Sequence, residues 1–522
     1  MSKKQMRTKQ QTRVPHPVEH VFVLMLENRS FDHMLGFSGL AGVDAVTGGR
    51  TSIYGLTGAE SNSYQGVEYP VTKPADWIMP VDPGHEFLDV LIQLCGPSAA
   101  YPPGGPYPAI NNSGYVSDYA HSPSQGEGNA PNDFGRIMKC FDAQTQLPVL
   151  WTLASNFAVC DHWYSSMPGP TWPNRFFVHG ASSSGLDHSP SAAQIATWDT
   201  VSGFSFKNGS VFDALDESKN NQTWRIYRGR SKPFSGSIPN VAALKGIHFW
   251  DTQSYDDFAD DLKAGGYSPS YTFIEPNYGN VINMDFSGGQ SQHPIDDVRN
   301  GEQLIKDTYE AIRNSDIWNN SLLIIIWDEH GGFFDHMTPP NAVPPGDTKV
   351  GAPLNQYGFA FDHYGPRVPA VVISPLIPAQ TIDHRTYDHA SIPGTLERLW
   401  NLAPLTNRDK AANSVSTLLS LAEPRTDAPS ILPNPVPIPV AQARAKVKPL
   451  NLKSLPIDGG NLPGVLYVAL RAELHLAQVK ERQAIARAFK SIKTRADAQT
   501  YLEGLENKFG AEMQRRSKAK QR

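Results

Sequence analysis

Residues 321–340 read SLLIIIWDEHGGFFDHMTPP. Leu322 to Trp327 is an unbroken apolar run with three isoleucines, too short for a bilayer span and lacking the alternation of a half-exposed strand. It predicts a strand buried on both faces of a parallel sheet. The run stops at Asp328, Glu329 and His330, followed by a Gly331-Gly332 turn and by Asp335-His336. Carboxylates are rarely buried without partners. In open α/β sheets ligands bind beyond the carboxyl ends of strands, so two acids at such an end predict a cation or a substrate above the sheet.

Working outward, Val21 to Leu26 is a second apolar run and ends in Glu27-Asn28-Arg29-Ser30. Tyr271 to Ile274 ends in Glu275-Pro276-Asn277, and Val368 to Ile373 ends in Ser374-Pro375. Between Tyr271–Ile274 and the strand at Leu322, Leu304, Ile305, Tyr309 and Ile312 in the stretch Glu302 to Asn314 recur at helical spacing, as in a βαβ unit. Strands whose carboxyl ends carry functional groups imply one α/β domain, residues 18–422, with a mainly parallel central sheet flanked by helices. Residues 35–130 and 195–265 read as long loop insertions over that sheet. Within the first, His85 precedes a predicted helix from Glu86 to Leu94.

The chain has 522 residues, 40% of them hydrophobic, with 42 glycines and 43 prolines, which suits a large core carrying long loops. A net charge of −5 leaves no general nucleic-acid footprint. Cys95, Cys140 and Cys160 form no CxxC pair, which argues against disulfides and a thiolate metal site. Residues 1–17 form a basic arm without the apolar core of a signal peptide, so the chain is expected to be cytoplasmic as synthesised, with export by a non-cleaved route left open. No run approaches the length of a membrane-spanning helix. A proline-rich linker is expected over residues 423–463 and a helical appendage over 464–522. From Pro463 onward there are 13 basic and 6 acidic residues. That tail reads either as helices packed on the domain or as a basic amphipathic surface for peripheral membrane contact.

Thr171 lies in Met167-Pro168-Gly169-Pro170-Thr171-Trp172-Pro173-Asn174-Arg175, a rigid turn leading into a predicted helix. A hydroxyl at a helix N-terminus meets free amides and the positive dipole end, where a phosphate is held or an alkoxide stabilised. The alternative is a plain N-cap. Likewise Glu27-Asn28 and Asp328 have structural readings as cap and ion pair, and His293 as a satisfied polar residue. Tyr115, Trp163, Trp172, Tyr278 and Trp250 read either as a cage for a quaternary ammonium headgroup or as packing.

The segments Glu27–His33, Thr171–Arg175 and Trp327–His336 together resemble the bacterial phosphoesterase family, which includes phosphatidylcholine-type phospholipases C and acid phosphatases on an alkaline-phosphatase-like fold. The resemblance spans roughly residues 18–405. It implies one divalent metal ion held by Glu27, Asn28, Asp328, Glu329 and Thr171, with Thr171 also the nucleophile and His85 and His293 as active-site histidines. Asp335, His336, Arg175 and His389 fall at positions nearby, as surrounding or substrate-contacting groups. An all-oxygen ligand set suits Ca²⁺, Mg²⁺ or Mn²⁺. The implied activity is phosphodiester hydrolysis of phospholipase C type through a phosphothreonine, giving diacylglycerol and a phosphorylated headgroup. A phosphomonoesterase on the same site is the alternative. The acid phosphatases carry serine where Thr171 stands, and the large secreted phospholipases carry β-rich C-terminal domains where this chain has a short helical tail. A non-enzymatic membrane-binding module would require a missing ligand or nucleophile, and none is missing.

Overall fold

The computed structural model describes residues 18–122, 133–195, 198, 202–439, 451–458 and 460–520. The basic arm 1–17 and part of the proline-rich segment lie outside them.

The described strands are β1 (His20–Leu26), β2 (Ala41–Asp44), β3 (Arg50–Ser52), the hairpin β4 (Ser61–Tyr64) and β5 (Val67–Pro70), β6 (Ala158–Cys160), β7 (Trp224–Arg228), β8 (Gln253–Ser254), β9 (Tyr271–Ile274), β10 (Ser321–Trp327), β11 (Ala370–Ile373) and β12 (Thr381–Asp383). Apart from the hairpin they form one sheet in the order β3-β2-β12-β6-β11-β10-β1-β9-β7-β8. Only the pairings β2–β3, β6–β11 and β10–β11 are antiparallel, so the sheet is mixed but mainly parallel. β1 and β10 lie at its centre, and every residue of both is buried. Each isoleucine or leucine so enclosed contributes roughly 1.5–3 kcal/mol of hydrophobic stabilisation.

The run Val368 to Ile373 departs from the expectation. Its strand, β11, is antiparallel to both neighbours. No helix intervenes between β10 and β11, and without a crossover the chain can only return beside the strand it has left. Ser374 therefore leaves the sheet at the edge opposite Asp328. Glu275, at the end of β9, serves the backbone: its carboxylate accepts from Asn240 N and Val241 N at 2.7 and 2.9 Å. The two presumed loop insertions also supply strands, β2 and β3 at one edge of the sheet and β7 and β8 at the other.

The helix Val298–Arg313 buries Leu304, Ile305, Tyr309 and Ile312 as its spacing predicts. Its Glu302 accepts from Val149 N and Leu150 N, capping the neighbouring helix Pro148–Asn156. At the C-terminus three helices follow, Leu462–Leu476, Val479–Lys490 and Arg495–Lys520. The first is buried along most of its length, and the third packs Phe509 against Phe249 and Trp250. The second buries no residue. Among the described residues, no helix is long and apolar enough to cross a membrane.

Candidate active site

β1 and β10 pair in parallel with Leu26 opposite Trp327, which brings Glu27-Asn28 beside Asp328-Glu329. Hydrogen bonds lock the two strand ends. Asn28 N donates to Asp328 Oδ1 at 3.0 Å, Arg29 N to the Glu329 carbonyl at 2.9 Å, and Gly331 N to Glu329 Oε2 at 2.7 Å. Gly331 has φ +65°, and a Cβ there would lie 2.1 Å from the Asn28 carbonyl oxygen; only glycine lets the turn fold back this closely. From the helix Thr171–Gly180, Arg175 Nε donates to Asp328 Oδ2 at 2.9 Å and Nη2 to the Leu26 carbonyl at 3.1 Å.

Glu27, Asn28, Asp328 and Glu329 are all fully buried. Glu27 Oε2, Asn28 Oδ1 and Glu329 Oε1 meet no hydrogen-bond partner. Burial raises the pKa of Glu27 and Asp328, although the Arg175 guanidinium opposes it in both. Burial likewise pushes Glu329 up to about 7, against the charge of His85. One arginine does not satisfy three enclosed carboxylates. Unpartnered oxygens of this kind fit a hard divalent cation, so the residues present agree with the ligand set implied by the resemblance.

Thr171 opens its helix behind Pro170. Asn174 holds that turn, accepting from Met167 N and donating to the carbonyls of Met167, Gly169 and Pro170. Thr171 shares a cavity of about 30 Å³ with Asp82, His85, Ser189, His293, Asn461 and Arg495, among others. The two imidazole centroids are 6.0 Å apart. His85 Nδ1–H donates to the Pro83 carbonyl at 2.9 Å, leaving Nε2 as the nitrogen available for chemistry. Burial works against a charge on His85, but the carboxylates of Glu329, Asp82 and Glu86 outweigh it and raise its pKa to about 10. His293, stacked on Phe286 at 3.8 Å, is held well below the ordinary histidine value by burial and by the charges of His85 and Arg29. These surroundings favour a charge on His85 and oppose one on His293. A wider cleft of about 800 Å³, between residues 204–220 and 400–405, contains none of these groups.

A family profile of the phosphoesterase family matches residues 18–403. The chain belongs to the phosphoesterase family. As a member it is a hydrolase acting on phosphoric ester bonds. It is 36% identical over 432 residues to non-specific phospholipase C3 of Arabidopsis thaliana, covering 80% of this chain and 76% of that protein. It is 26% identical over 450 residues to phospholipase C B of Mycobacterium tuberculosis, covering 80% of each. A solved structure of an alkaline phosphatase superfamily protein from Vibrio parahaemolyticus aligns at 13% identity and a TM-score of 0.29, covering 53% of this chain and 66% of that one.

In this phosphoesterase the remaining predicted residues separate into two groups. His389 accepts from Trp163 Nε1 on Nδ1 at 3.3 Å and donates from Nε2 to the Asp328 carbonyl at 2.6 Å, so it braces a strand end from beneath. Asp335 and His336 lie apart from the Thr171 cavity. Arg367 Nε donates to Asp335 Oδ1 at 2.9 Å and Nη2 to Asp32 Oδ1 at 2.8 Å, while His336 Nδ1 meets Asp32 Oδ2 at 2.6 Å. In that buried network Arg367 already bridges the two carboxylates. The five aromatics considered as a headgroup cage are all buried and none lines the cavity; Tyr278, for instance, stacks under Arg175.

Asp82 and Asn461 are among the cavity residues that carry no role in the sequence reading. Asp82 lies 3.7 Å from His293 Nε2, and its place in Asp82-Pro83-Gly84-His85 was a usable signal. Asn461 has no local signal, since it reads as an ordinary residue before a proline-started helix.

Proposed function

We propose that this phosphoesterase is a metal-dependent phosphodiesterase of phospholipase C type, cleaving a phospholipid to diacylglycerol and a phosphorylated headgroup through a phosphothreonine at Thr171. The supporting observation is one cavity holding a hydroxyl at a helix N-terminus and two histidines, beside a nest of unpartnered carboxylate and amide oxygens. The names of its plant and mycobacterial relatives favour the diester substrate.

Glu27, Asn28, Asp328, Glu329 and Thr171 Oγ would hold the cation, which supplies neutralisation of a phosphoryl oxygen and a lowered hydroxyl pKa. In the first step Thr171 Oγ bonds to phosphorus as its proton passes to neutral His293. The phosphorus–oxygen bond to diacylglycerol breaks, and His85 protonates the departing oxygen. In the second, water attacks the phosphothreonine and gives its proton to His85, while His293 returns one to Thr171 Oγ. The helix dipole and the free amides of its first turn favour the anionic phosphodiester intermediate, which keeps the headgroup on phosphorus until water attacks.

The exposed helix Val479–Lys490, with Lys480, Arg482, Arg487 and Lys490, is the element this reading assigns to peripheral membrane contact. Replacing the four bases by glutamate is expected to abolish co-sedimentation with anionic vesicles.

The activity is tested by comparing p-nitrophenyl phosphorylcholine with p-nitrophenyl phosphate, with chelator and with metal restored. Diester preference supports the proposal. Preference for the monoester overturns it in favour of a phosphomonoesterase.

A further inference from the structure

Three clusters among the described residues gather histidine and carboxylate ligand atoms within 4.8 Å of one another. Asp82, His85 and His293 belong to the cavity above. Asp32, Asp335 and His336 already enclose a cation in the Arg367 guanidinium. The third, Asp161, His162 and His384, has no role in the reaction and lies elsewhere on the same edge of the sheet.

β6 and β12 run side by side in parallel with Asp383 opposite Cys160, so Asp161-His162 and His384 leave the sheet together. β6 and β10 are both antiparallel to the strand between them; these ends therefore face the same way as Asp328. The Asp161 carboxylate is buried. It accepts from Tyr54 N at 2.8 Å and meets His162 Nδ1 at 2.8 Å and His384 Nδ1 at 2.9 Å. Among the described residues, no lysine or arginine forms an ion pair with it; Arg367 reaches only the Asp161 carbonyl oxygen. The countercharge must come from an imidazolium or from a cation between the three donors.

Three further features suit a cation. His384 Nε2 lies 2.9 Å from Thr51 Oγ1 and 3.8 Å from Asp44 Oδ2. A proton donated there leaves Nδ1 as the lone pair turned toward the carboxylate, the outer-shell arrangement that orients metal-binding histidines. The Tyr54 ring stands edge-on to both imidazoles, with centroids 5.0 and 4.8 Å away, and holds their planes. Finally, both histidines keep partial exposure, 15% and 20% of their side chains, which gives an entry path and room for water as a further ligand. Donors around a tetrahedral zinc ion stand about 3.3 Å apart, so the rings need to open by about half an ångström.

We propose that Asp161, His162 and His384 bind a divalent transition-metal cation of the zinc class, at a site separate from the all-oxygen set of Glu27, Asn28, Asp328 and Glu329. Two imidazoles and one carboxylate select a borderline cation, whereas the oxygen set suits a hard one. Binding displaces the proton now shared between imidazole and carboxylate. It ties the ends of β6 and β12 together.

The test titrates Zn²⁺ into the chelator-stripped full chain by calorimetry, with excess Mg²⁺ present. One equivalent is expected to bind to the wild type and equally to Asp328→Asn, and about 100-fold more weakly to the His162→Ala/His384→Ala double variant. Co²⁺ in place of Zn²⁺ is expected to give visible absorption bands that the double variant loses. No zinc uptake by the wild type, or the same isotherm in the double variant, overturns the proposal and leaves a hydrogen-bonded Asp–His–His cluster. If the double variant fails to fold by circular dichroism, the single His162→Gln variant decides: a drop of about 10-fold or more supports the site, and unchanged affinity overturns it.

Discussion

Asn461 Nδ2 donates to Glu27 Oε1 at 3.0 Å, joining the C-terminal segment to the end of the first strand across 434 positions of chain. Gly464, one helical turn on, lies so close to Trp172 that a Cβ would fall 1.8 Å from its ring. Arg495 closes the other side, donating to the Val281 and Ile282 carbonyls. Together these contacts form a roof over the cavity of about 30 Å³ that Thr171 lines.

Asn461→Ala removes a hydrogen bond to a carboxylate, a loss of about 1.5–3 kcal/mol. Amide exchange over residues 460–476 is expected to speed up by about tenfold or more, with β1 and β10 unchanged. Equal exchange in both proteins would show that the roof is held by other contacts.

Thr171→Ala is expected to lower turnover of p-nitrophenyl phosphorylcholine by about 10³-fold or more, with little change in melting temperature because the side chain's contribution is chemical. Thr171→Ser should retain measurable activity. Substantial turnover by the alanine variant would remove Thr171 from the role of nucleophile.

Arg175→Ala strands the buried carboxylates of Glu27 and Asp328 without their cation. A loss of about 3–5 kcal/mol is expected in denaturant unfolding. Arg175→Lys keeps the charge but cannot reach Asp328 and the Leu26 carbonyl together, and should recover only part of that loss.

Chelator treatment should abolish activity and lower the melting temperature, and Mg²⁺, Ca²⁺ or Mn²⁺ should restore both. A cation at 100 times its dissociation constant adds about 2.7 kcal/mol. In Glu329→Gln that added stability should shrink markedly. An identical metal-induced shift in the variant would place the cation elsewhere.

Acid stability carries a signature of Asp161. Burial opposes its charge, but hydrogen bonds from His162, His384 and Tyr54 N outweigh it and lower its pKa to about 2. A folded value below the ordinary 3.8 contributes stability that is present above pH 4 and lost as pH falls from 4 through 2. In metal-free protein this amounts to about 2 kcal/mol. Asp161→Asn should remove that part of the acid limb, measured as unfolding free energy against pH.

The apolar runs at Val21 and Leu322 were legible because burial on both faces leaves a continuous hydrophobic string. Their polar ends were legible because charge directly after such a string has no solvent-exposed explanation. Thr171 stood out through its Pro/Gly turn. The direction of β11 was not legible, since the same apolar run serves a parallel or an antiparallel strand; the missing crossover helix decided it. Glu275 followed the same pattern as Asp328 yet caps a 3-10 helix, because a strand-end carboxylate is claimed by whichever amides lie nearest in space.

The order of residues alone determined the central strands, the helix-start hydroxyl and the family motifs, all of which depend on local spacing and side-chain chemistry. Only tertiary structure decided that β1 and β10 lie in register, so that Glu27-Asn28 and Asp328-Glu329 end side by side, and that Asn461 closes over Glu27. It likewise brought His384 to Asp161 across 223 positions. Such contacts are set by how sheet and helices pack, and no local pattern encodes the distance between residues hundreds of positions apart.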